Sequence, residues 1–354
     1  MKIPGFLLLF FVLAAACHKT QTTEQTRTYR MGFANSAPNY NYNSFQESLS
    51  LWTSKADAAI ISVQVPWDSL LTGESSFQYI MTDYYNLAIY FREKGLKIWV
   101  YIDPEDGLDR SSDADDLLAL GKSIAQPVAQ SVYVEFVWEM DSLLKPDHLG
   151  LALETNLIRA AAPDSIYQGV KLAASQAASY LHQMDPERPL SISVQAEYAW
   201  GEANGGKYIG TAQDFADFPF ITELGISSYP YFSFNSPSAI PTNYYSELTG
   251  GRSIPVFVSE GGWTSNSFIS SSGQLISSPQ IQAEYMDKQG QLLAQANAIA
   301  WFQLTFTDLE VSSYPPSTQN ELQYFAWLGM VDTSFQAKPA YASWDSLFSK
   351  KLVN

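Results

Sequence analysis

Only one cysteine occurs in 354 residues, so no intramolecular disulfide is available and no cysteine cluster can hold zinc. Histidine is nearly as scarce. His18, His148 and His182 fall in a polar segment, before an apolar run and within a helical pattern, which leaves no His-based triad or metal site. Cations are also short: 20 Lys and Arg stand against 36 Asp and Glu, a net charge of -16. That balance disfavours nucleic acid and anionic lipid surfaces, which need a cationic footprint. The glycine-rich phosphate turn of a dinucleotide fold is missing as well, since Gly32-Phe33-Ala34-Asn35 follows the first strand-like run. Aromatic residues, by contrast, make up 14% of the chain, and their flat faces suit a neutral ligand or a large core equally.

The amino terminus reads as a targeting segment. Met1-Lys2 precede the apolar run Phe6 to Leu13, too short to span a bilayer, and Ala14-Ala15-Ala16 lead directly to Cys17. This is the pattern of a lipoprotein signal over residues 1–16, with Cys17 as the acylated anchor of an exported, cell-envelope protein. Residues 17–28 are polar and aperiodic and read as a flexible tether. The folded domain is expected over 29–354.

Within that domain eight apolar, strand-like runs alternate with helical segments: 29–35, 58–65, 97–103, 148–154, 190–196, 223–229, 254–260 and 298–304. Helices are expected over 77–94, 113–123, 128–144, 165–184 and 278–297, with a last one near 341–349. Near-continuous apolar strands alternating with helices imply a parallel sheet covered on its outer face, and eight of them imply closure into a single (β/α)8 barrel. An active site then lies at the carboxyl ends of the strands. The polar and aromatic residues there are Asn35, Asp103, Glu154 with Asn156, Gln195 with Glu197, Tyr229, Glu260 with Trp263, and Trp301 with Gln303 and Asp308. Two carboxylates on opposite sides of a pocket are what glycoside hydrolysis requires, and Glu154 and Glu260 end strands four and seven, which face each other.

Several stretches sharpen this. Pro255-Val256-Phe257-Val258-Ser259-Glu260-Gly261-Gly262-Trp263 resembles the nucleophile strand of clan A glycoside hydrolases, and Leu149 to Asn156 resembles their acid/base strand. Gly225-Ile226-Ser227-Ser228-Tyr229-Pro230-Tyr231 resembles the sixth strand of the arabinogalactan endo-β-1,4-galactanases. Ala300-Trp301-Phe302-Gln303 is similar to the eighth strand, and Leu328 to Asp332 with Lys338 to Tyr341 to the closing segment. The resemblance implies a retaining glycosidase for a neutral polysaccharide or oligosaccharide, without cofactor or metal. It implies Glu154 as acid/base, Glu260 as nucleophile, Tyr229 as the hydroxyl positioning Glu260, and Trp301 as the sugar-stacking floor. Glu154 is expected protonated at rest in apolar surroundings, with Glu260 ionised. One departure stands out: the family usually has Asn before the acid/base Glu, and this chain has Leu153.

The remaining features read more plainly. Asp113, Asp115 and Asp116 suit a helix amino terminus better than a calcium site, and Glu135 and Glu139 suit a solvated helix face. Trp67, Trp200 and Tyr231 are candidates for outer sugar subsites or for packing, and 233–238 and 265–278 read as loops bordering the mouth. The domain is expected to be a monomer that touches a membrane only through Cys17 and binds no nucleic acid. A glycan-binding lipoprotein on the same barrel, catalytically weak, is the alternative reading, and Leu153 is its support.

Overall fold

A computed structural model describes residues 25–34, 36–201, 205–270 and 273–353. The proposed signal, Cys17, most of the tether and Asn35 lie outside the described residues. Eight parallel strands close into a barrel in sequential order. They are Arg30–Ala34, Ala58–Gln64, Lys97–Asp103, His148–Gly150, Leu190–Gln195, Glu223–Ser228, Val256–Gly261 and Ala300–Gln303. The eighth pairs with both the seventh and the first, so the barrel leaves no free edge. Each of the eight expected runs coincides with one barrel strand, the seventh strand running one residue further to Gly261, because burial on both faces demands continuous apolar sequence.

The long helices also fall where their periodicity places them, over Pro127–Leu144, Asp164–Met184, Pro279–Gln295 and Pro339–Phe348. The segment expected as one helix over 77–94 is two, Ser76–Asp83 and Tyr85–Glu93, parted at Tyr84, whose φ of -121° is not helical. The short helix Asp115–Ala119 begins with two acids, as a helix amino terminus favours. The fold starts earlier than expected: Thr26–Arg27 pair in parallel with Lys351–Leu352, and buried Arg27 binds Asp57 at 2.5 Å. These two residues therefore belong to the domain, not to a tether.

The barrel interior is filled by Ala58, Ile60, Trp99, Tyr101, Phe257 and Phe302 among others, while a larger apolar cluster joins the outer strand faces to the helices. At the amino-terminal end His148 stacks flat on Trp99, 3.8 Å between ring centroids, and its Nδ1 meets Glu223 Oε2 at 2.8 Å. Higher up, the Tyr101 ring crosses the barrel and donates to Ser191 Oγ at 3.0 Å. It fits because the adjacent fourth strand and the sixth strand carry glycine: a Cβ at Gly150 would meet the ring at 2.3 Å, and one at Gly225 would meet its hydroxyl at 2.1 Å.

Overpacking of this kind costs about 1–3 kcal/mol. Gly225→Ala is therefore expected to lower the unfolding free energy by about 2 kcal/mol, and Tyr101→Phe in the same chain to restore part of it. Urea denaturation of the three proteins measures this; equal midpoints for the parent and Gly225→Ala would show that Tyr101 is not wedged there.

Candidate active site

A cavity of about 1050 Å³ opens at the carboxyl end of the barrel and takes lining residues from the carboxyl-terminal parts of the eight strands or the segments that follow them. Glu154 and Glu260 both line it. Each reaches its place by a local distortion. Strand four stops at Gly150, and the chain then runs apolar through Leu151, Ala152 and Leu153 before Glu154 adopts φ +47°, a left-handed conformation. A non-glycine residue there costs on the order of 1–2 kcal/mol and persists only where its surroundings over-determine it. Here they do. The Glu154 N–H donates to Ser193 Oγ at 2.8 Å. Asn156 exchanges two 2.9 Å bonds with the Gln195 backbone, and Thr155 Oγ1 donates to Asp214, which also holds Arg159. The turn from strand four into the helix Thr155–Ala161 is thereby fixed.

Glu260 is aimed by a β-bulge. Strands six and seven pair Ile226 with Val258 but Ser227 with Glu260, so Ser259 is the extra residue. A one-residue bulge turns the following side chain to the opposite face, and bulges are frequent beside active sites for that reason.

The outcome is that Ser227 Oγ lies between the two carboxylates, 2.6 Å from Glu154 Oε1 and 2.9 Å from Glu260 Oε1. Those oxygens are therefore no more than about 5.5 Å apart. A serine hydroxyl carries one proton and can donate to only one of them. Toward the other it offers a lone pair, so that carboxyl must itself bear a proton. On its far side Glu154 accepts from Arg110 Nε at 3.1 Å, and Arg110 Nη1 binds Asp103 Oδ2 at 2.7 Å. Burial works against the Arg110 charge, yet Asp103 and Glu154 hold its pKa above the ordinary value. Burial raises Asp103, against the pull of Arg110.

Burial, and then the charge of Glu154, push the Glu260 carboxyl up to about 7, with Arg110 opposing. Glu154 does not sit in the wholly apolar surroundings expected for it but against a guanidinium, and it is Glu260 whose neutral form burial favours. Tyr229 also lines the cavity; burial and the charges of Glu260 and Glu154 raise its hydroxyl well above the ordinary value, which keeps it a neutral donor.

Other expected site residues are placed elsewhere. Strand residues alternate in direction, and on strand eight Ala300 and Phe302 face the interior, so Trp301 faces outward. It packs on Trp344 at 4.7 Å and is not a floor for a sugar. Trp263 is fully buried against Tyr285, its Nε1 bound to Ser277 Oγ at 3.1 Å. Asn156 is fully buried in its bonds to Gln195. Gln195 does line the cavity, but its side chain donates to Glu197 and accepts from Tyr198 N. Glu197 receives Ser228 Oγ, Tyr229 N and Tyr244 Oη as well, which makes it a structural knot outside the cavity. Asp308 is held by Lys338 at 2.6 Å, and Gln303 donates to Leu328 O, both tying down the closing segment.

Trp67 donates to Pro104 O, Trp200 stacks on Tyr244, and Tyr231 donates to Tyr324 O; all three pack, and none lines the cavity. The stretch 265–278 contains a small hairpin, Phe268–Ser270 with Gly273–Leu275. Sequence reasoning missed Arg110 and Ser227. The one visible signal was that Arg110 is the single cation in the acid-rich stretch 103–116. Among the described residues, no cluster of His, Cys, Asp and Glu is arranged to hold a metal ion.

No family model matches the chain, and no curated protein matches it. Solved structures do. An exo-β-1,4-mannosidase from an Opitutaceae bacterium matches with a TM-score of 0.65 at 15% identity, over 92% of this chain and 61% of its own. This chain thus spans less than two thirds of that protein. A GH5_18 protein from Bifidobacterium longum in complex with Manβ1-4GlcNAc matches at 0.62 and 16%, over 92% and 80%. A β-glucosidase from Thermotoga maritima matches at 0.61 and 11%, over 93% and 100%. At these identities the likeness shows the (β/α)8 fold.

The loop bearing Arg110 is anchored by Glu105, which is fully buried, accepts from Ala114 N at 2.9 Å and leaves Oε1 without a partner. Burial, then the charges of Asp113 and Asp103, raise it to about 9. An acid whose folded pKa is raised stabilises the fold fully below its unfolded value, near 4.5, and loses that contribution as pH rises through 9. Glu260, Glu197 and Asp308, raised to about 7, 7 and 6, act in the same direction but are exhausted sooner. Between pH 7.5 and 8.5 the parent should therefore lose stability at up to about 1.4 kcal/mol per pH unit, and Glu105→Gln should flatten that slope. Chemical denaturation across this range is the check, and an unchanged slope in the variant would exclude Glu105 as its source.

Proposed function

We propose that this chain is a retaining glycoside hydrolase acting on a neutral glycoside, with Glu154 and Glu260 as its two catalytic carboxyl groups. The observation that carries the reading is the hydroxyl of Ser227 bridging both. Inverting enzymes hold their carboxyls roughly 6.5–9.5 Å apart to admit a water, whereas about 5 to 5.5 Å suits direct attack on the sugar. The neutral substrate follows from charge: three carboxyl groups surround one guanidinium, so an anionic sugar would be repelled. The names of the three structures described above, two glycosidases and a glycan complex, agree with action on a glycoside.

The chemistry runs in two steps. Ser227, donating to one carboxyl and accepting from the other, passes the shared proton from Glu260 to Glu154. Glu154 then protonates the glycosidic oxygen while Glu260 attacks the anomeric carbon, so the carbon–oxygen bond breaks, the aglycone departs as an alcohol and a glycosyl ester forms. In the second step Glu154 takes a proton from water, whose oxygen attacks the same carbon and releases Glu260. Arg110, held by Asp103, keeps Glu154 oriented, and Tyr229 faces the attacking carboxylate. β-Galactosyl specificity belongs to this proposal through the sixth-strand resemblance. Export and lipid anchoring belong to it through Cys17: labelled palmitate incorporated by the parent and not by Cys17→Ser would support the anchor, and equal labelling would refute it.

Glu154→Gln and Glu260→Gln are each expected to lower kcat/KM on aryl β-glycosides at least about a thousandfold. Azide added to Glu260→Ala should yield the inverted glycosyl azide, and azide added to Glu154→Ala the retained one. The opposite stereochemistry would exchange the two roles, and full activity in both variants would end the catalytic reading. The pair needs one proton, and Glu260 titrates near 7. Activity should therefore fall as pH rises above about 7, tenfold per unit once the proton is lost.

A further inference from the structure

Resting on that reading, we propose that the leaving-group side of the cavity takes an apolar aglycone, aryl or alkyl, in place of a further sugar. Polar side chains gather around the two carboxylates, and most of the remaining lining is apolar. The floor carries Arg110, Glu154 and Glu260, together with Gln64, exposed into the cavity, and Thr305, whose buried Oγ1 has no partner. Hydroxyl groups of one sugar ring match that floor.

The wall above is different. Leu157 and Ala161, four residues apart on one helix, present a shared face, and Leu304, Leu309, Leu322 and Phe325 continue it. Phe325 packs on Tyr229 at 4.9 Å between centroids and on Phe232 at 6.1 Å. Exposed apolar side chains of Tyr42, Leu108 and Phe232 carry the same character to the rim.

Several polar side chains in the wall are held by other groups of the protein. Asn41 accepts from the backbone of Asn43 and Ser44, Gln195 is held by Glu197 and Tyr198, and Thr318 Oγ1 donates to Pro315 O. Asn39 Nδ2 donates to Glu310 at 3.5 Å, and its Oδ1, without a partner, is the exception. A second sugar placed here would bury hydroxyls against leucine and phenylalanine, which penalises it by the loss of water contacts. A hydrocarbon loses nothing polar and removes the wall from water. The cavity volume, about 1050 Å³, lies at the upper end of those enclosing a whole small molecule.

The test is calorimetric titration of the full chain with hydrolysis-resistant sulfur-linked β-galactosides, β-glucosides and β-mannosides, each bearing a phenyl, a methyl or a second sugar on the leaving-group side. In the sugar series that binds best, phenyl is expected to bind at least about tenfold more tightly than methyl or the disaccharide. Leu157→Asn should shrink that margin, and Leu322→Ser, on a separate segment, provides the same readout if the first variant does not fold. A disaccharide binding as tightly as the phenyl compound would overturn the proposal and leave hydrolysis untouched. Tight phenyl binding without hydrolysis of any oxygen-linked counterpart would sustain the apolar subsite and remove the catalytic reading. No binding in any series would remove both.

Discussion

Three carboxyl groups share the mouth of the barrel with one guanidinium, and the charge they cannot all carry organises the site. Asp103 and Glu154 take up the two sides of Arg110. Glu260, which makes no direct contact with Arg110, is joined to Glu154 through Ser227 Oγ. In water such a cluster would simply ionise. Below the barrel rim ionisation is costly, so a proton is retained near neutral pH, which is the condition for acid and base catalysis by one pair.

That arrangement depends on backbone features far less visible than the side chains. The bulge at Ser259 turns Glu260 toward Ser227, and a left-handed turn at Glu154, clamped by Ser193, Asn156 and Asp214, supplies its counterpart. Both distortions sit where strands end, and the regular barrel beneath them absorbs the cost. Tyr101 wedged among Gly150, Gly225 and Ser191 is part of that base. Glu105 anchors the loop that delivers Arg110. Residues of the carboxylate cluster are thus outnumbered by residues that only hold them.

The aromatic residues teach a related lesson. Tryptophan in a glycosidase-like barrel invites a stacking role, yet Trp67, Trp263 and Trp301 are all core residues here, and no tryptophan lines the cavity among the described residues. Large flat side chains fill the space between barrel and helices because nothing else buries as much area per residue. The cavity wall is instead built from leucine, phenylalanine and tyrosine delivered by the short helices and loops that follow the strands, which is why its character follows from their packing and not from strand motifs.

The alternation of eight apolar runs with helical segments was sufficient by itself to determine a closed parallel barrel, since periodicity and burial are local properties that each segment carries. It also placed Glu154 and Glu260 at the carboxyl ends of the fourth and seventh apolar runs, which meet at one mouth. Tertiary structure alone decided the rest. Whether Trp301 points in or out depends on the phase of a strand whose alternation the sequence displays without an origin. How charge is distributed around Glu154 and Glu260 depends on where Arg110, forty-four residues before Glu154 and brought by a loop, comes to lie. Thr26–Arg27 read as tether because two polar residues have no periodicity, and they became part of the domain only when the carboxyl terminus arrived beside them. Contacts between residues distant in sequence set charge, phase and register, and no local pattern records them.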